Sequence, residues 1–393
     1  MSLPHHDIVI VGAGPAGSTA ASFLAKIGRD VLLIDQHKFP RDKACGDCVG
    51  PYALRILHEI GLKDVINQAG FHTISSGRIV APSGQDIGLR FADNHVDGIS
   101  TLIAPRKKFD HLIQKRALDL GARFMVAKVR NIEKHDGQSV RIILDKNDSK
   151  EALMCRILLA ADGSNSLIAK NLNGPYPATR MAVAARACIK GIRTNPHTIE
   201  GFLDPNIWPG YGWIFPTGPD AANVGVGLSL NHFRSNKTSL RQLVMNFLDI
   251  PAIKSRLSQT VTIHSFAGWP LRLGWHPELR RSWDGILLLG DAAGLINPLS
   301  GGGIANAILS GKIAAEVSIE ALRKDDTTQA FLSRYESKLG RILRKELTQS
   351  EWLRKIIYVS PNLVNGAIRL LRSGSILPNL LSRLYPDLNF HIT

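Results

Sequence analysis

Glycines near the N-terminus have the spacing of a nucleotide-binding turn. They follow an apolar run at residues 8–11, and the motif consists of Gly12, Gly14, Pro15, Ala16 and Gly17. After a strand, such glycines allow a tight turn, a close approach by a pyrophosphate and close packing of the next helix. The unpaired N–H groups and the dipole at that helix N-terminus favour an anion. The motif therefore predicts a strand–turn–helix unit that binds a dinucleotide.

An acid after the next apolar run completes this unit. Asp35 follows residues 31–34 at about the distance from the last glycine that is typical of dinucleotide-binding βαβ units. Its carboxylate would accept hydrogen bonds from the adenosine ribose hydroxyls and would disfavour a 2′-phosphate. We expect the next residue, Gln36, to contact the same cofactor.

A second glycine–acid pair lies far along the chain. Gly290 and Asp291 follow an apolar run at residues 286–289 that is typical of a buried strand. At the carboxyl end of that strand, Asp291 could accept a hydrogen bond from a ribityl hydroxyl, which FAD has and NAD lacks. A glycine loop then leads into a predicted helix at residues 304–309, whose N-terminus could face the flavin N1–C2=O edge. The cofactor contacts expected here are Gly301, Gly302, Gly303 and Ile304.

Three aromatic residues alternate along a predicted strand. Tyr211, Trp213 and Phe215 are each two residues apart, so their side chains share one face. That face could form the wall of an apolar substrate channel over a flavin, or it could belong to an ordinary core. In the first case Tyr211 and Trp213 are candidate catalytic residues, and Tyr211 could also donate a proton.

Two cysteines lie in a charged loop at residues 39–48. Cys45 and Cys48 could form a redox disulfide, line the substrate pocket or be structural thiols, and Arg41 and Lys43 would favour a thiolate. We expect no metal site, because a second ligand pair is missing and no histidine has a metal-ligand spacing. Cys45 is the third candidate catalytic residue. The other cysteines lie in strand-like runs and are expected in the core: Cys155 and Cys188.

Composition is that of a globular protein with an unusual charge. The 393 residues are 44% hydrophobic and 21% charged, and four cysteines are too few for a disulfide scaffold. We expect a cytoplasmic location, because no run approaches the roughly 18 apolar residues of a spanning helix and no signal peptide is indicated. The net charge of +15 would suit nucleic acid, an anionic membrane surface or another anionic partner. Nucleic acid is not expected, since zinc-finger spacing and RNA-binding aromatic motifs are missing.

The C-terminal residues contain two basic amphipathic patterns. In the first pattern, Leu339, Ile342, Leu343 and Leu347 recur at helical spacing among Lys and Arg residues. The second pattern comprises Leu363, Val364, Ala367, Ile368 and Leu371. Such helices could lie on an anionic bilayer, or they could pack on the nucleotide-binding domain with their charges in water.

The order of these patterns predicts an α/β fold. We expect a Rossmann-like FAD-binding domain with an inserted, mostly antiparallel β domain for the substrate and a C-terminal helical segment. The FAD-binding domain would comprise residues 1–71, 101–175 and 281–330. The substrate domain would comprise residues 72–100 and 176–280, and the helical segment residues 331–393.

The chain also resembles a known enzyme family. The first glycine motif with Asp35, Asp162-Gly163, and Gly290-Asp291 resemble the three motifs of FAD enzymes built like p-hydroxybenzoate hydroxylase. This resemblance implies further cofactor contacts from Arg41, Cys45, Gly46, Arg106, Val129, Asp162 and Gly163. More narrowly, residues 41–47, the Tyr-x-Trp-x-Phe-Pro segment and the residues around Asp291 resemble the geranylgeranyl reductase family, over about residues 5–320.

Members of that family reduce isoprenoid double bonds, so the resemblance implies an FAD-dependent reductase of a prenyl or other long apolar substrate. The chain contains a single Gly-x-Gly-x-x-Gly, so NAD(P)H would dock transiently or another reductant would supply the electrons. The alternative is an FAD-dependent hydroxylase. A halogenase fits less well, because Tyr211 and Phe215 replace a tryptophan and an isoleucine of the halogenase motif. A non-catalytic binding protein would have little reason to keep these motifs. We expect a monomer, with a peripheral membrane contact as a further expectation.

Overall fold

The structure is a computed structural model that describes residues 3–91, 99–135, 139–147, 149–236, 238–372 and 390–392. The strands are β1 (His5–Val11), β2 (Val31–Asp35), β3 (Cys48–Val49), β4 (His72–Ile74), β5 (Ser76–Val80), β6 (Asp86–Phe91), β7 (Thr101–Ile103), β8 (Arg123–Val126), β9 (Lys128–His135), β10 (Ser139–Lys146), β11 (Ser149–Ala160), β12 (Met181–Ile192), β13 (Thr198–Phe202), β14 (Gly210–Gly218), β15 (Ala221–Ser229), β16 (Leu257–Arg272), β17 (Ser282–Trp283), β18 (Ile286–Leu288) and β19 (Phe390–Ile392). The α-helices are α1 (Pro15–Ala25), α2 (Pro51–Glu59), α3 (Lys63–Gln68), α4 (Arg106–Asp119), α5 (Leu167–Asn173), α6 (Leu230–Ser235), α7 (Leu240–Leu248), α8 (Pro251–Lys254), α9 (Ile304–Lys324), α10 (Gln329–Ile357) and α11 (Pro361–Arg372).

Parallel strands form the centre of the first sheet, in the order β18-β11-β1-β2-β8. Val11, at the end of β1, pairs with Ile34 on one side and with Ala160 on the other. β2 is buried along its whole length, as expected for a strand with both faces covered. The carboxyl ends of β1, β2, β11 and β18 therefore meet at one edge, and the glycine and acid motifs of the sequence follow those ends.

The second sheet has the order β16-β12-β15-β14-β13-β5-β6-β19 and is antiparallel except between β13 and β5. One face of β14 packs on α7, since a Cβ on Gly212 would lie 2.3 Å from the Phe247 ring, and Ile214 is in the same core. Successive residues of a strand point to opposite faces. Tyr211, Trp213 and Phe215 therefore lie on the face opposite α7.

The predicted fold class is confirmed. The aromatic segment lies in a strand as predicted, namely β14. The helix predicted after the second glycine loop begins at Ile304 and continues to Lys324 as α9. A small third sheet of β3, β7 and β4 was not predicted, because its strands have only two or three residues.

In each of the two C-terminal helices, only some residues of the predicted apolar face pack against the rest of the protein. Leu343 and Leu347 of α10 are buried in the hydrophobic core that contains the first sheet, and Val364 and Ile368 of α11 are buried against Ala81. Three members of those faces are exposed: Ile342, Leu363 and Ala367. The chain does not remain helical to its end, because residues 390–392 form β19, which pairs with the edge strand β6. Among the described residues, no helix is long and apolar enough to cross a membrane.

Candidate functional site

The glycine turn between β1 and α1 has no room for larger side chains at two of its positions. Gly12 has a φ of +102°, and a Cβ there would lie 2.2 Å from the carbonyl oxygen of Ala161. A Cβ on Gly17 would lie 1.9 Å from the carbonyl oxygen of Gly12. A Cβ on Gly14 would lie 3.5 Å from Arg41, which is an ordinary contact. The fold therefore requires the first and last glycines, whereas the middle one leaves space at the helix N-terminus.

The N-terminus of α1 suits an anion. No side chain in the described part of the chain caps it, and Pro15 is its first residue. Pro15 has no N–H, so the orphan donors of the first turn begin at Ala16. This terminus is the part of the structure that fits the pyrophosphate of FAD.

Asp35 holds the glycine turn in place. Its Oδ2 accepts a hydrogen bond from the Ala13 N–H at 2.9 Å, and its Oδ1 accepts one from the His37 N–H at 2.9 Å. Each carboxylate oxygen has further lone pairs for a ligand. Gln36 is exposed beside it, and Val129 is partly buried near the start of β9, just after the strand that pairs with β2.

The second glycine–acid pair meets the first motif in space. A Cβ on Gly290 would lie 3.2 Å from the Cβ of Ala16 and 3.2 Å from that of Ala307, so the strand end fits closely between α1 and α9. The Asp291 Oδ1 would lie 3.3 Å from a Cβ on Gly303, the residue before α9. Motifs from the two ends of the chain therefore lie side by side.

Asp291 is held as a carboxylate by its neighbours. Its Oδ2 accepts hydrogen bonds from Lys43 Nζ at 3.3 Å and from Ser164 Oγ at 3.1 Å. Burial acts to raise the pKa of Asp291, but the charges of Lys43 and Arg106 and these hydrogen bonds outweigh it and lower the pKa. Lys43 was predicted only as a neighbour of Cys45, and the structure shows it paired with this acid instead.

The glycine loop before α9 touches the aromatic strand. The Tyr211 hydroxyl donates to the carbonyl oxygen of Ser300 at 2.7 Å, and a Cβ on Gly301 would lie 2.5 Å from that hydroxyl. The Gly302 N–H donates to Ser300 Oγ at 3.2 Å. No side chain among the described residues caps α9, which begins at Ile304. The uncapped helix N-terminus and the first aromatic residue therefore share one loop.

Asp162 and Gly163 follow β11 beside the glycine turn. Gly163 has a φ of +77°, and a Cβ there would lie 4.0 Å from Lys43 Nζ. Burial raises the pKa of Asp162 despite hydrogen bonds from Ser166 and from the Ile168 N–H. Within the described part of the chain its Oδ1 is shielded from solvent and has no hydrogen-bond partner. A buried oxygen with free lone pairs fits a hydroxyl of a bound cofactor.

Arg106 begins α4 inside a buried cluster of charges. Its Nε and Nη2 donate to the two oxygens of Asp110 at 2.6 and 2.7 Å, and Arg41 Nη1 lies 3.0 Å from the same carboxylate. Arg106 also lies close enough to the Cys45 thiol for its charge to act to lower the pKa of that thiol. Burial acts to lower the pKa of Arg106, but Asp110 outweighs it and raises the pKa. A fixed cation therefore lies between the glycine turn and the cysteine loop.

Burial has the largest influence on the pKa of the Cys45 thiol. It raises the pKa of this thiol, with Arg106 acting in the opposite direction, while Arg41 and Lys43 pair with acids elsewhere. Arg41 and Lys43, which were expected to favour a thiolate, are therefore paired with acids, and burial acts against the charged form of the thiol. Burial also raises the pKa of Cys48 to about 12, and both cysteines are free. The remaining two are respectively buried and half-buried: Cys155 and Cys188.

The aromatic residues of β14 form a row against the cysteine loop. The ring centroids of Tyr211 and Trp213 are 6.0 Å apart, and those of Trp213 and Phe215 are 6.2 Å apart. A Cβ on Gly46 would lie 2.8 Å from the Phe215 ring, and one on Gly225 would lie 2.2 Å from the Trp213 ring. The predicted shared face is confirmed, and two glycines make space for the rings.

Sequence analysis missed Asn223, which joins the aromatic row to the cysteine loop. This fully buried amide accepts a hydrogen bond from Trp213 Nε1 at 3.1 Å. Its Nδ2 donates to the carbonyl oxygen of Cys45 at 2.7 Å and to Asp47 Oδ2 at 2.8 Å. The available signal was a lone amide among small apolar residues at positions 221–226.

Asp47 is the other residue that sequence analysis did not single out. It has a φ of +64° and is almost fully buried. Burial raises its pKa to about 6, although the hydrogen bond from Asn223 and the charges of Arg186 and Arg106 act to lower it. In the described part of the chain, Asp47 Oδ1 has no hydrogen-bond partner.

Comparisons with known proteins agree with this geometry. The matching family model is an FAD binding domain and covers residues 5–349. The chain is 33% identical over 343 residues to digeranylgeranylglycerophospholipid reductase 1 of Methanopyrus kandleri, with 84% of this chain and 85% of the relative covered. It is 32% identical over 317 residues to the menaquinone reductase of Mycobacterium tuberculosis, with 79% and 76% covered. A solved geranylgeranyl bacteriochlorophyll reductase-like protein from Thermoplasma acidophilum shares the fold, with a TM-score of 0.85, 23% identity and 98% of each chain covered.

The fold, the paired glycine–acid motifs and these matches define an FAD-dependent oxidoreductase. Within that class, the chain belongs to the geranylgeranyl reductase family.

Proposed function

We propose that this enzyme reduces carbon–carbon double bonds of a prenyl or other long apolar substrate. The aromatic row of β14 carries the proposal, because it joins the glycine loop before α9 at one end and the loop of Cys45 and Gly46 at the other. An apolar wall between those two loops suits a long hydrocarbon chain better than a polar substrate. Both relatives named above are reductases whose names specify isoprenoid compounds.

The cofactor is proposed to lie at the edge where the parallel strands end. The N-terminus of α1 would hold the pyrophosphate of FAD, with Asp35 on the adenosine ribose, Asp291 on the ribityl chain and Arg106 near the flavin nucleotide. Residues 1–71, 101–175 and 281–330 would then bind FAD. Residues 72–100 and 176–280 would supply the substrate side, followed by the helical segment.

The chemistry divides between cofactor and protein. Reduced FAD supplies the hydride to one carbon of the double bond, and NAD(P)H or another reductant restores its two electrons. The other carbon takes a proton. The Tyr211 hydroxyl already donates to the carbonyl oxygen of Ser300, so we propose the Cys45 thiol as the proton source. Burial keeps the thiol protonated before the reaction, and Arg106, which acts to lower its pKa, would stabilise the thiolate left after proton transfer. Trp213 excludes water from the reacting carbons.

Anaerobic reoxidation tests the proposal. Holoenzyme reduced with dithionite is mixed with a geranylgeranyl lipid, with menaquinone or with air-saturated buffer, and the visible flavin absorbance is followed. We expect fast reoxidation by an isoprenoid substrate and a product with two added hydrogens. Reoxidation by air alone, with oxygen in the product, would favour the hydroxylase alternative.

A pair of substitutions at Trp213 places the substrate. Trp213→Ala should slow turnover of a long apolar substrate at least about tenfold because a wall of the channel is lost, while Trp213→Phe keeps most of the activity. Flavin content of the purified proteins is the control. If Trp213→Ala instead loses its flavin and unfolds, Trp213 is a core residue and the aromatic row is not the channel wall.

The expected location follows from the substrate class. A prenyl substrate dissolves in a bilayer, so we propose a monomer at the cytoplasmic face of a membrane, bound peripherally. The net charge of +15 supports an anionic lipid surface as its partner.

A further inference from the structure

The outer faces of the last two described helices are unusually apolar for an exposed surface. Five large apolar residues are exposed between residues 352 and 370: Trp352 (65%), Ile356 (37%), Val359 (72%), Leu363 (52%) and Leu370 (73%). They lie on the second half of α10, the short connection and α11. We call this stretch of exposed apolar residues the α10–α11 outer face. Exposed apolar groups concentrated in one segment are typical of an interaction site.

This outer face is distinct from the face that packs the helices on the protein. On α10 the buried residues include Leu339, Leu343 and Leu347, and at 3.6 residues per turn Trp352 lies on the side of the helix opposite these leucines. On α11, Val364 and Ile368 are buried against the second sheet. The helices are therefore held in place by residues other than those of the outer face, whose large apolar side chains are exposed.

Positive charge accompanies the apolar residues. Arg341 and Lys345 are exposed and lie one turn apart from each other. They are on the same side of α10 as Trp352, which follows them in the chain. The acids of residues 341–371 are both engaged with the protein: Glu346 accepts from Asn297, and Glu351 is buried and pairs with neighbouring basic residues. The exposed charge of the described outer face is therefore positive, which complements an anionic surface.

The α10–α11 segment also contacts two parts of the proposed substrate site, namely the start of the aromatic strand and the start of the glycine loop before α9. Tyr358 packs edge-on against Trp208, with ring centroids 5.3 Å apart, and Trp208 lies two residues before the start of β14. Asn297 Nδ2, at the start of the glycine loop, donates to Glu346 Oε1 at 2.9 Å and to Ser350 Oγ at 3.1 Å. A partner on the outer face would lie one helix away from the aromatic row.

We propose that the α10–α11 outer face docks on the headgroup region of an anionic bilayer, with Trp352, Val359 and Leu370 inserted and Arg341 and Lys345 on anionic headgroups. This inference rests on the proposed function, which supplies a bilayer-dissolved substrate. The surface differs from the amphipathic faces expected from the sequence, most of which pack inward.

Vesicle binding tests the docking surface. Holoenzyme is sedimented with vesicles of phosphatidylcholine alone or with phosphatidylglycerol, without any prenyl lipid. We expect binding to the anionic vesicles that weakens with salt, falls at least about tenfold in Trp352→Ser/Val359→Ser, and falls about fivefold in Lys345→Gln, as expected for the loss of one basic residue. The matched control is Ile27→Ser/Val65→Ser, which removes two exposed apolar residues elsewhere and should bind like the wild type.

Three results would overturn the docking surface. They are equal binding by the two double variants, no binding by the wild type, and a change from dimer to monomer in Trp352→Ser/Val359→Ser by light scattering, which would assign the surface to a second copy of the chain. Flavin content and circular dichroism confirm that the variants fold.

Turnover of a detergent-dispersed prenyl substrate separates the two proposals. We expect Trp352→Ser/Val359→Ser to keep this activity and to lose turnover of the same substrate in anionic vesicles. A wild type that reduces the dispersed substrate but does not bind vesicles contradicts only the docking surface. A wild type that reduces no prenyl substrate contradicts the proposed function, whatever its binding to vesicles.

Discussion

The two sides of the candidate site are held together in opposite ways. On the cofactor side, Gly12 and Gly17 matter because they lack side chains, and backbone atoms occupy the space that a Cβ would need. On the aromatic side, one buried amide, Asn223, joins Trp213 to the loop of Cys45 and Asp47 through its own hydrogen bonds. The cofactor side should therefore lose stability when a side chain is enlarged, and the aromatic side should lose stability when a side chain is truncated.

The largest effect is expected at Gly17. Gly17→Ala should lower the free energy of unfolding by about 4 kcal/mol, because its Cβ would lie 1.9 Å from the Gly12 carbonyl oxygen and neither backbone can move far. Chemical denaturation measures this loss. Gly14→Ala is the matched control, since it makes only an ordinary contact at 3.5 Å. It should fold like the wild type and yet bind FAD more weakly. Equal stability of the two variants would contradict the backbone account.

The aromatic side should respond to a deletion. Asn223→Ala should lower the free energy of unfolding by about 3 kcal/mol, because the Trp213 N–H and the Cys45 carbonyl oxygen lose their partner in a buried place. Denaturation with a flavin titration measures both quantities, and FAD affinity should change less than stability. Asn206→Ala removes an exposed amide and should cost under about 0.5 kcal/mol. Similar losses of stability at both positions would mean that the hydrogen bonds of Asn223 do not stabilise the contact between the aromatic row and the cysteine loop.

A smaller, pH-dependent effect is expected at Asp47. Burial raises the pKa of its carboxyl from 3.8 to about 6, so the folded state binds the proton more tightly than the unfolded state. Stability should then fall as the pH rises from about 4 to about 6, and the full cost, about 2–3 kcal/mol, is present above that range. Asp47→Asn removes this cost in free energy, and the side-chain oxygen of the new amide can still accept the hydrogen bond from Asn223. Its gain in melting temperature over the wild type should therefore increase between pH 4 and 7.

Asp42→Asn in the same loop is the control for that titration. Asp42 accepts two hydrogen bonds from the buried Arg186, at 2.8 and 2.6 Å. Its substitution leaves the guanidinium without a partner carboxylate, so it should destabilise the protein at neutral pH rather than stabilise it. A melting-temperature difference for Asp47→Asn that does not depend on pH would contradict the raised pKa.

Local patterns could be predicted from the sequence because their causes are local. The turn from Gly12 to Gly17 depends on residues that follow each other directly, and the alternation of Tyr211, Trp213 and Phe215 depends only on strand geometry. The fold class followed from the order of such patterns. The pairing of motifs from the two ends of the chain at one edge followed from a rule for parallel sheets.

Contacts between distant segments could not be predicted in this way. The role of Asn223 depends on a loop 176 residues earlier in the chain. Arg41 and Lys43 lie in the same loop as Cys45, and only the fold shows that both pair with acids while burial raises the pKa of the thiol. The outward positions of Ile342 and Leu363 depend on which side of each helix meets the protein.

The strand order of the first sheet also limits when the cofactor can bind during synthesis. β1 pairs with β11, which pairs with β18, so Gly290 and Asp291 take their place beside Ala16 only after every strand of the second sheet except β19 has been translated. Domains form on the ribosome from the N-terminus onward. A nascent chain that ends before Asp291 lacks half of the proposed FAD site, so flavin loading belongs to the last stage of folding.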